Sequence, residues 1–328
     1  MPPYLSVLVP VYNEEENVAD LAAEVHAALA GLGRTYEVLL VDDGSSDGSF
    51  GEIRKAVARH PGFRALRLAA NFGQTAALAA GIRHARGEVV ACLDADLQND
   101  PKDLPALLAK LEEGYDVVSG WRRERQDPWL TRRLPSEVAN WIISRVTGIA
   151  LHDYGCTLKV YRSLFIKELR LYGEMHRFIP AFAGFLGARI AELPVHHRPR
   201  SRGRSKYGLT RILKVVLDLI TVKFMDEYLT KPIYLFGGGG FAMGILGAVM
   251  AAATLYKKFF LGIYVKDQPL FQVSIFFALV GFQLILLGLL AEILIRVYYD
   301  IKDKPSYFVR ERLGFEDDVA LARDPRSN

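Results

Sequence analysis

Glu88-Val-Val-Ala-Cys-Leu93 runs straight into Asp94-Ala-Asp-Leu-Gln98, and this junction decides the fold. A short apolar run bounded by polar residues reads as a buried strand, and Asn99-Asp100-Pro101 marks the turn after it. The strand therefore delivers two carboxylates to its carboxyl end. Mg²⁺ and Mn²⁺ take hard oxygen ligands and hold phosphates through them, so Asp94, Asp96 and Gln98 form a candidate metal set with Mg²⁺ or Mn²⁺ as the cofactor. Alone, Asp-x-Asp is more often a solvated turn. Its neighbours change that reading.

Ser6-Val-Leu-Val9 runs into Pro10-Val-Tyr-Asn-Glu14, and Glu37-Val-Leu-Leu-Val41 into Asp42-Asp-Gly-Ser-Ser-Asp47. Three strands thus end in polar clusters. In open α/β sheets the ligand crevice lies outside the carboxyl ends of the strands, so the clusters are expected to line one site. Asn13 and Ser46 also stand where helix N-caps are expected. Strands are predicted at about 5–10, 36–42, 63–68, 88–93 and 116–121, with helices at about 15–31, 48–59, 75–85 and 102–113 between them. This alternation predicts an α/β, doubly wound, mostly parallel sheet.

Taken together, the Pro10–Glu14, Asp42–Asp47 and Asp94–Gln98 motifs resemble the family 2 glycosyltransferases of the GT-A fold. Asn71-Phe-Gly-Gln-Thr75 and Arg200-Ser-Arg-Gly-Arg-Ser-Lys-Tyr207 are similar to the branch that glycosylates polyisoprenyl phosphates. That branch includes dolichol-phosphate mannose synthase and the bacterial undecaprenyl-phosphate glucosyl and aminoarabinosyl transferases. The resemblance spans roughly residues 4 to 312 and rests on five ordered motifs.

The resemblance implies an inverting hexosyl transfer from a nucleotide sugar to a polyisoprenyl phosphate, undecaprenyl or dolichyl, with UDP-glucose favoured over GDP-mannose or an aminoarabinose donor. It places Pro10, Tyr12, Asn13, Glu14, Asp42, Asp43 and Asp94 on the donor, with Arg200, Ser205 and Lys206 in a loop closing over its diphosphate. Arg122, Arg132 and Ser136 fall where the family gathers the acceptor phosphate, a task suited to the planar arginine fork. Asp96, Gln98 and Asp94 would hold the metal, and Asp94, Asp96 and Asp153 form the catalytic set. Asp153 lies where many family members keep a general base. A phosphate acceptor is already ionised near neutral pH, so here Asp153 is expected to orient arginines or the acceptor instead.

The 328 residues suit one core domain and an appendage, and the hydrophobic share of 51% is high for a soluble enzyme. The excess lies late in the chain. Ile233–Tyr256 and Leu270–Ala291 contain no charged residue, and each is long enough to cross a hydrocarbon layer about 30 Å thick. The expected division is a catalytic domain over 1–208, interfacial juxtamembrane helices over 209–231, a transmembrane hairpin over 232–299 (spans at about 233–256 and 270–297) and a tail over 300–328. Leu209–Phe224 is amphipathic, as expected of a helix in the lipid interface. The glycines at 237–240, 244 and 247 give the first span a small-residue face, for contact within the hairpin or in a homo-oligomer.

Arg211, Lys214, Lys223 and Lys231 precede the first span, and Arg296, Lys302, Lys304, Arg310 and Arg312 follow the second, against Lys257, Lys258 and Lys266 between them. Both termini and the catalytic domain are therefore expected in the cytoplasm. Met1-Pro-Pro-Tyr4 has no charged signal region and enters a strand at once. Cys92 and Cys156 read as packed thiols rather than a disulfide or metal clip.

A net charge of +4 with local arginine clusters beside an acidic crevice excludes nucleic acid as the partner. A processive polysaccharide synthase would need more spans and a Gln-x-x-Arg-Trp signature. A dinucleotide oxidoreductase would need G-x-G-x-x-G after the first strand. A membrane-anchored nucleotide-binding scaffold is the non-enzymatic alternative, disfavoured by the intact Asp94–Gln98 motif.

Overall fold

The computed structural model describes residues 2–123, 134–169, 171, 173, 175–199, 232–300 and 307–315. Arg132, Arg200, Ser205, Lys206 and the amphipathic stretch Leu209–Phe224 lie outside the described residues.

Eight strands form one sheet: β1 (Leu5–Val11), β2 (Tyr36–Asp42), β3 (Phe63–Leu68), β4 (Val89–Cys92), β5 (Val117–Trp121), β6 (Lys159–Arg162), β7 (Ile190–Pro194) and β8 (Val309–Leu313). Their order is β7-β5-β6-β4-β1-β2-β3-β8. Helices α1 (Glu15–Ala30), α2 (Ser49–Arg59), α3 (Gln74–His84), α4 (Leu104–Glu112), α5 (Leu134–Thr147), α6 (Ser163–Glu168) and α7 (Ile179–Phe185) connect them. The sheet is mixed, with four of its seven pairings parallel. β1–β2, β1–β4, β2–β3 and β5–β7 are parallel, whereas β4–β6, β5–β6 and β3–β8 are antiparallel. The strand-helix alternation of the first 120 residues specifies the parallel part. The antiparallel strands come from later segments that lack that alternation.

Helix periodicity explains the layers. Leu104, Leu107, Leu108 and Leu111 recur on one face of α4 and are all buried, each stabilising the fold by about 1.5–3 kcal/mol before entropy is counted. Val18, Leu21, Val25 and Leu29 of α1 and Phe50 and Ile53 of α2 join the same core. Ala76, Ala77 and Ala80 of α3 pack with Val41, Leu66 and Leu68 in a separate cluster. Small alanines let α3 approach the strands closely.

The register aligns the functional ends. Val11 pairs with Asp42 and Leu8 with Cys92, so β1, β2 and β4 finish at one edge. The order reverses between β1 and β4, the kind of switch point where α/β sheets bind ligands. β5 ends at this edge, and the antiparallel β6 begins there. Gly44, at φ +67°, closes the turn after β2; a Cβ on it would lie 2.4 Å from the Ala70 carbonyl carbon. Only glycine fits.

Val309–Leu313, expected to belong to a tail, instead pairs with β3 from Ala65↔Leu313 to Leu68↔Val309. Its alternating half-buried and exposed residues suit an edge strand with one face on the core. Arg54 bonds Glu311 at 2.6 Å, and Tyr307 is buried just ahead of the strand. Cys92 and Cys156 are both free and buried; burial pushes the Cys92 thiol up to about 12 and the Cys156 thiol up to about 11.

A second compact unit holds two long helices, Pro232–Leu261 and Pro269–Asp300. Pro232–Leu261, with mean hydropathy 1.7, and Pro269–Leu294 of the second helix, with 2.5, are long and apolar enough to cross a membrane, and little of either is buried within the protein. Large side chains such as Phe241, Val249, Phe276 and Phe282 face outward. The small-residue face is used within the hairpin. A Cβ on Gly240 would lie 2.5 Å from the Gly281 carbonyl oxygen, and one on Gly247 would lie 2.9 Å from the Ser274 carbonyl oxygen.

Candidate active site

The turn after β4 is built around Asp94. Its Oδ1 accepts a hydrogen bond from Gln74 Nε2 at 2.8 Å, and its Oδ2 accepts one from Thr157 Oγ1 at 2.6 Å. Leu97 holds φ +60°, a left-handed conformation unusual for a bulky residue. The Gln98 N–H donates to Asp96 Oδ1 at 3.2 Å. Burial, then the neighbouring Asp96 carboxylate, push Asp94 up to about 6, against the pull of the Thr157 bond, Arg122 and Lys159.

These donors fit a hard divalent cation. Two like-charged carboxylates share one turn, one of them with raised proton affinity, and a cation would relieve both effects. Among the described residues, no group of three or more His, Cys, Asp or Glu side chains forms a cage. A cation held there would draw its other ligands from phosphate oxygens and water, as is usual for Mg²⁺.

The loops after β1 and β2 are tied together. Asn13, at φ +53°, accepts the Ser46 N–H at 2.9 Å through Oδ1, and its own N–H donates to Ser45 Oγ at 3.0 Å. Asn13 and Ser46 therefore do not cap α1 and α2. The residues before those helices are Glu14 and Gly48, and the side chains expected as caps bind the opposite loop. Glu14 donates its N–H to Ser49 Oγ at 2.8 Å. Pro10 lies next to last in β1, opposite Val41, and Tyr12 is half-buried just beyond the strand.

Asp42 is fully buried, accepting the Ser45 N–H at 3.2 Å and lying 3.4 Å from Arg67 Nε. Both oxygens of Asp43 are taken by the β3–α3 loop, through the Phe72 N–H at 2.8 Å and the Gly73 N–H at 2.9 Å. Burial raises both carboxyls above their ordinary value. Asp43 shapes the loop from which Gln74 reaches Asp94.

On the other side of the turn, β5 ends at Trp121 and presents Arg122. Its Nε and Nη2 donate to Asp153 Oδ2 and Oδ1 at 2.7 and 2.9 Å. The Gly155 N–H also donates to Asp153 Oδ1, at 3.1 Å. Burial lowers the Arg122 pKa, but the hydrogen bonds and charge of Asp153 outweigh it and hold the guanidinium firmly charged. The bidentate pair fixes the guanidinium plane. Trp121 stacks on His152, with ring centroids 4.4 Å apart. Ser136 lies near the start of α5.

Arg198, close to the Asp94–Gln98 turn through its backbone, is anchored internally. It donates to Glu24 at 2.8 and 3.0 Å and to Asp100 at 2.5 Å, while its N–H donates to the Gln98 carbonyl at 2.8 Å. The backbone bond uses the Gln98 carbonyl expected to face a metal, although a carbonyl has a second lone pair.

Sequence reading missed Gln74, Thr157, Lys159 and Glu192 as site-building residues. Glu192 accepts the N–H groups of His152 and Asp153, each at 3.0 Å. Gln74 stands in the Asn71–Thr75 motif and Thr157 follows Asp153 by four residues; nothing local reveals that both reach Asp94.

A strand-end carboxylate pair, two tied loops after β1 and β2, and a clamped arginine just after β5 are the features of a GT-A-like glycosyltransferase. The chain belongs to glycosyl transferase family 2, whose model matches residues 6–185. It is 44% identical over 311 residues to the dodecaprenyl-phosphate galacturonate synthase of Rhizobium johnstonii, covering 94% of this chain and 92% of that one. It is 38% identical over 310 residues to the undecaprenyl-phosphate 4-deoxy-4-formamido-L-arabinose transferase of Edwardsiella ictaluri, covering 94% and 93%. These relatives are of the branch whose motifs the sequence carries. In fold, the chain resembles mannosyl-3-phosphoglycerate synthase from Rubrobacter xylanophilus, with TM-score 0.55, 19% identity and coverage of 69% and 75%. It also resembles glucosyl-3-phosphoglycerate synthase from Mycobacterium tuberculosis, solved with Mn²⁺, UDP and phosphoglyceric acid, with TM-score 0.54, 18% identity and coverage of 67% and 78%.

Proposed function

We propose that this protein transfers a sugar from a UDP-linked donor to a polyisoprenyl phosphate, with inversion in a single displacement. The observation that carries the reading is the short Asp153–Thr157 segment. It clamps Arg122 at one end and donates to Asp94 at the other. An anion-binding arginine and a diphosphate-side carboxylate thus share one scaffold, as a phosphate acceptor meeting a nucleotide sugar requires.

Asp96, with Asp94 and Gln98, holds the divalent cation, Mg²⁺ or Mn²⁺. When bound, the cation neutralises the departing diphosphate. Tyr12, Asn13 and Asp42 build the nucleotide edge, and Arg200, Ser205 and Lys206 close over the diphosphate. Arg122, with Arg132 and Ser136, orients the acceptor phosphate. One of its oxygens bonds to the anomeric carbon as the bond from that carbon to the diphosphate oxygen breaks. The acceptor is ionised near neutral pH, and Asp153 is occupied by Arg122, so no side-chain base is required.

Relatives at 38–44% identity act with galacturonate and 4-deoxy-4-formamido-L-arabinose, so these sugars stand ahead of glucose and mannose for this chain. The membrane helices carry the active site to its lipid. Residues on both sides of the hairpin belong to the same sheet, because β8 pairs with β3. The chain therefore crosses the bilayer an even number of times between them, and the flanking Lys and Arg residues put that side in the cytoplasm.

The test is to incubate detergent-purified full-length protein, Mn²⁺ and undecaprenyl phosphate with radiolabelled UDP-galacturonate, UDP-4-deoxy-4-formamido-L-arabinose, UDP-glucose and GDP-mannose. One labelled, solvent-extractable lipid is expected, formed from one of the first two donors. Absence of labelled lipid with all four sinks the proposal.

A further inference from the structure

Lys159 opens β6 opposite Cys92 of β4 and Ser119 of β5, and is only 3% exposed. Among the described residues it makes no ion pair. Its Nζ instead donates to two backbone carbonyls, those of Tyr154 at 3.1 Å and of Cys156. Burying an ammonium without a carboxylate is costly, and burial lowers the Lys159 pKa. An aliphatic side chain would fill the same space without that cost.

The cation is spent on one object, the Asp153–Thr157 segment. Asp153 clamps Arg122, and Thr157 Oγ1 donates to Asp94. Cys156 Sγ lies 3.9 Å from Asn99 Oδ1 in the turn that follows Asp96. Gly155 leaves room for the clamp, since a Cβ there would lie 3.1 Å from Arg122 Nη2. The two carbonyls gripped by Lys159 fall between the two functional ends, so their position sets both ends at once.

We infer that Lys159 is a positioning residue that couples the acceptor-phosphate side of the site to its carboxylate turn by fixing the Asp153–Thr157 segment, with Thr157 as the arm that orients Asp94. This rests on the proposed transfer reaction and adds to it a residue that touches neither substrate. Losing the Nζ grip frees the segment, so Arg122 and Asp94 lose their orientation together. Displacing a reacting group by about 1 Å can cost on the order of a hundredfold in rate.

The test uses the full-length enzyme, undecaprenyl phosphate and whichever donor the wild type accepts, measuring acceptor KM, kcat and the Mn²⁺ concentration for half-maximal rate. Thr157→Val is expected to raise the Mn²⁺ requirement several-fold, leaving acceptor KM within about twofold, because only the Asp94 arm is cut. Lys159→Met should raise both quantities and lower kcat by about tenfold or more. Lys159→Arg, which retains a buried donor, should recover part of each loss.

If Lys159→Met lowers the thermal midpoint but moves neither acceptor KM nor the Mn²⁺ requirement, Lys159 is merely structural and the inference falls. It falls equally if Thr157→Val leaves the Mn²⁺ requirement unchanged. Should Lys159→Met not fold, Thr157→Val and Lys159→Arg decide: a Mn²⁺ shift in the first, with both constants moved together and less than tenfold in the second, supports coupling, and any other pattern overturns it. An inactive wild type would instead defeat the transfer reading.

Discussion

Replacing Asp153 by Asn separates an orienting carboxylate from a catalytic base. The side chain is buried and receives Arg122 Nε at 2.7 Å and Nη2 at 2.9 Å. Asn preserves the shape but offers one carbonyl, so its amide N–H₂ meets the other guanidinium N–H donor to donor. Removing one partner of a buried pair costs about 3–5 kcal/mol. The surviving carbonyl bond, and the 13% exposure of the Arg122 side chain, reduce this to about 2–3 kcal/mol, or roughly 30–150-fold. The loss should fall on acceptor KM, because the role proposed for Arg122 is to orient the acceptor phosphate.

The assay is initial rate against undecaprenyl phosphate concentration from pH 7 to 9, with Asp96→Asn in parallel. A phosphate monoester has its second pKa near 6, so by pH 8 the attacking oxygen is ionised and a base adds little. Asp153→Asn should keep clearly more activity than Asp96→Asn at pH 8, and its defect relative to wild type should not shrink toward pH 9. Progressive rescue by alkali, or inactivity equal to that of Asp96→Asn, would make Asp153 the base and refute the reasoning.

Three further outcomes are expected. Activity should vanish in excess chelator, return with Mn²⁺ or Mg²⁺, and be lost in Asp96→Asn, since removing the charge of a hard ligand weakens metal and diphosphate binding together; full activity in chelator would dismiss the cation. Deleting everything after Gly208 should destabilise the catalytic unit by about 3 kcal/mol and promote aggregation, because β8 and Tyr307 leave and bare the β3 edge; replacing 209–304 by a short linker that retains 305–315 should restore the thermal midpoint. Asp42→Asn should raise the thermal midpoint of the nucleotide-free protein near neutral pH while weakening nucleotide binding in calorimetry. Burial holds the Asp42 carboxyl above its ordinary value, so the native state binds its proton more readily than the unfolded chain does. The ionised group therefore costs stability above its native pKa, and the mutant's gain should fade as pH drops through it.

The sequence by itself determined what depends on local order. Apolar runs at strand length, α4 leucines at helical spacing, carboxylates directly after β4 and two uncharged stretches of more than twenty residues specify the strands, the helices, the Asp94–Asp96 turn and the membrane hairpin, because these signals lie within a few residues of one another. The tertiary structure alone decided which side chains meet. Asn13 and Ser46 have the composition of helix caps, yet bind across two loops. Asp153 clamps an arginine 31 residues away, and Asp94 is held from one side by Gln74 and from the other by Thr157, 63 residues on. The charged residues 309–313 read as tail but form an edge strand, since Arg67 pairs with Glu311 only once β3 lies at the open side of the sheet. Such pairings follow from strand order and direction. Neither is encoded in any one segment, because each is set by how the strands jointly bury their faces and satisfy their backbone hydrogen bonds.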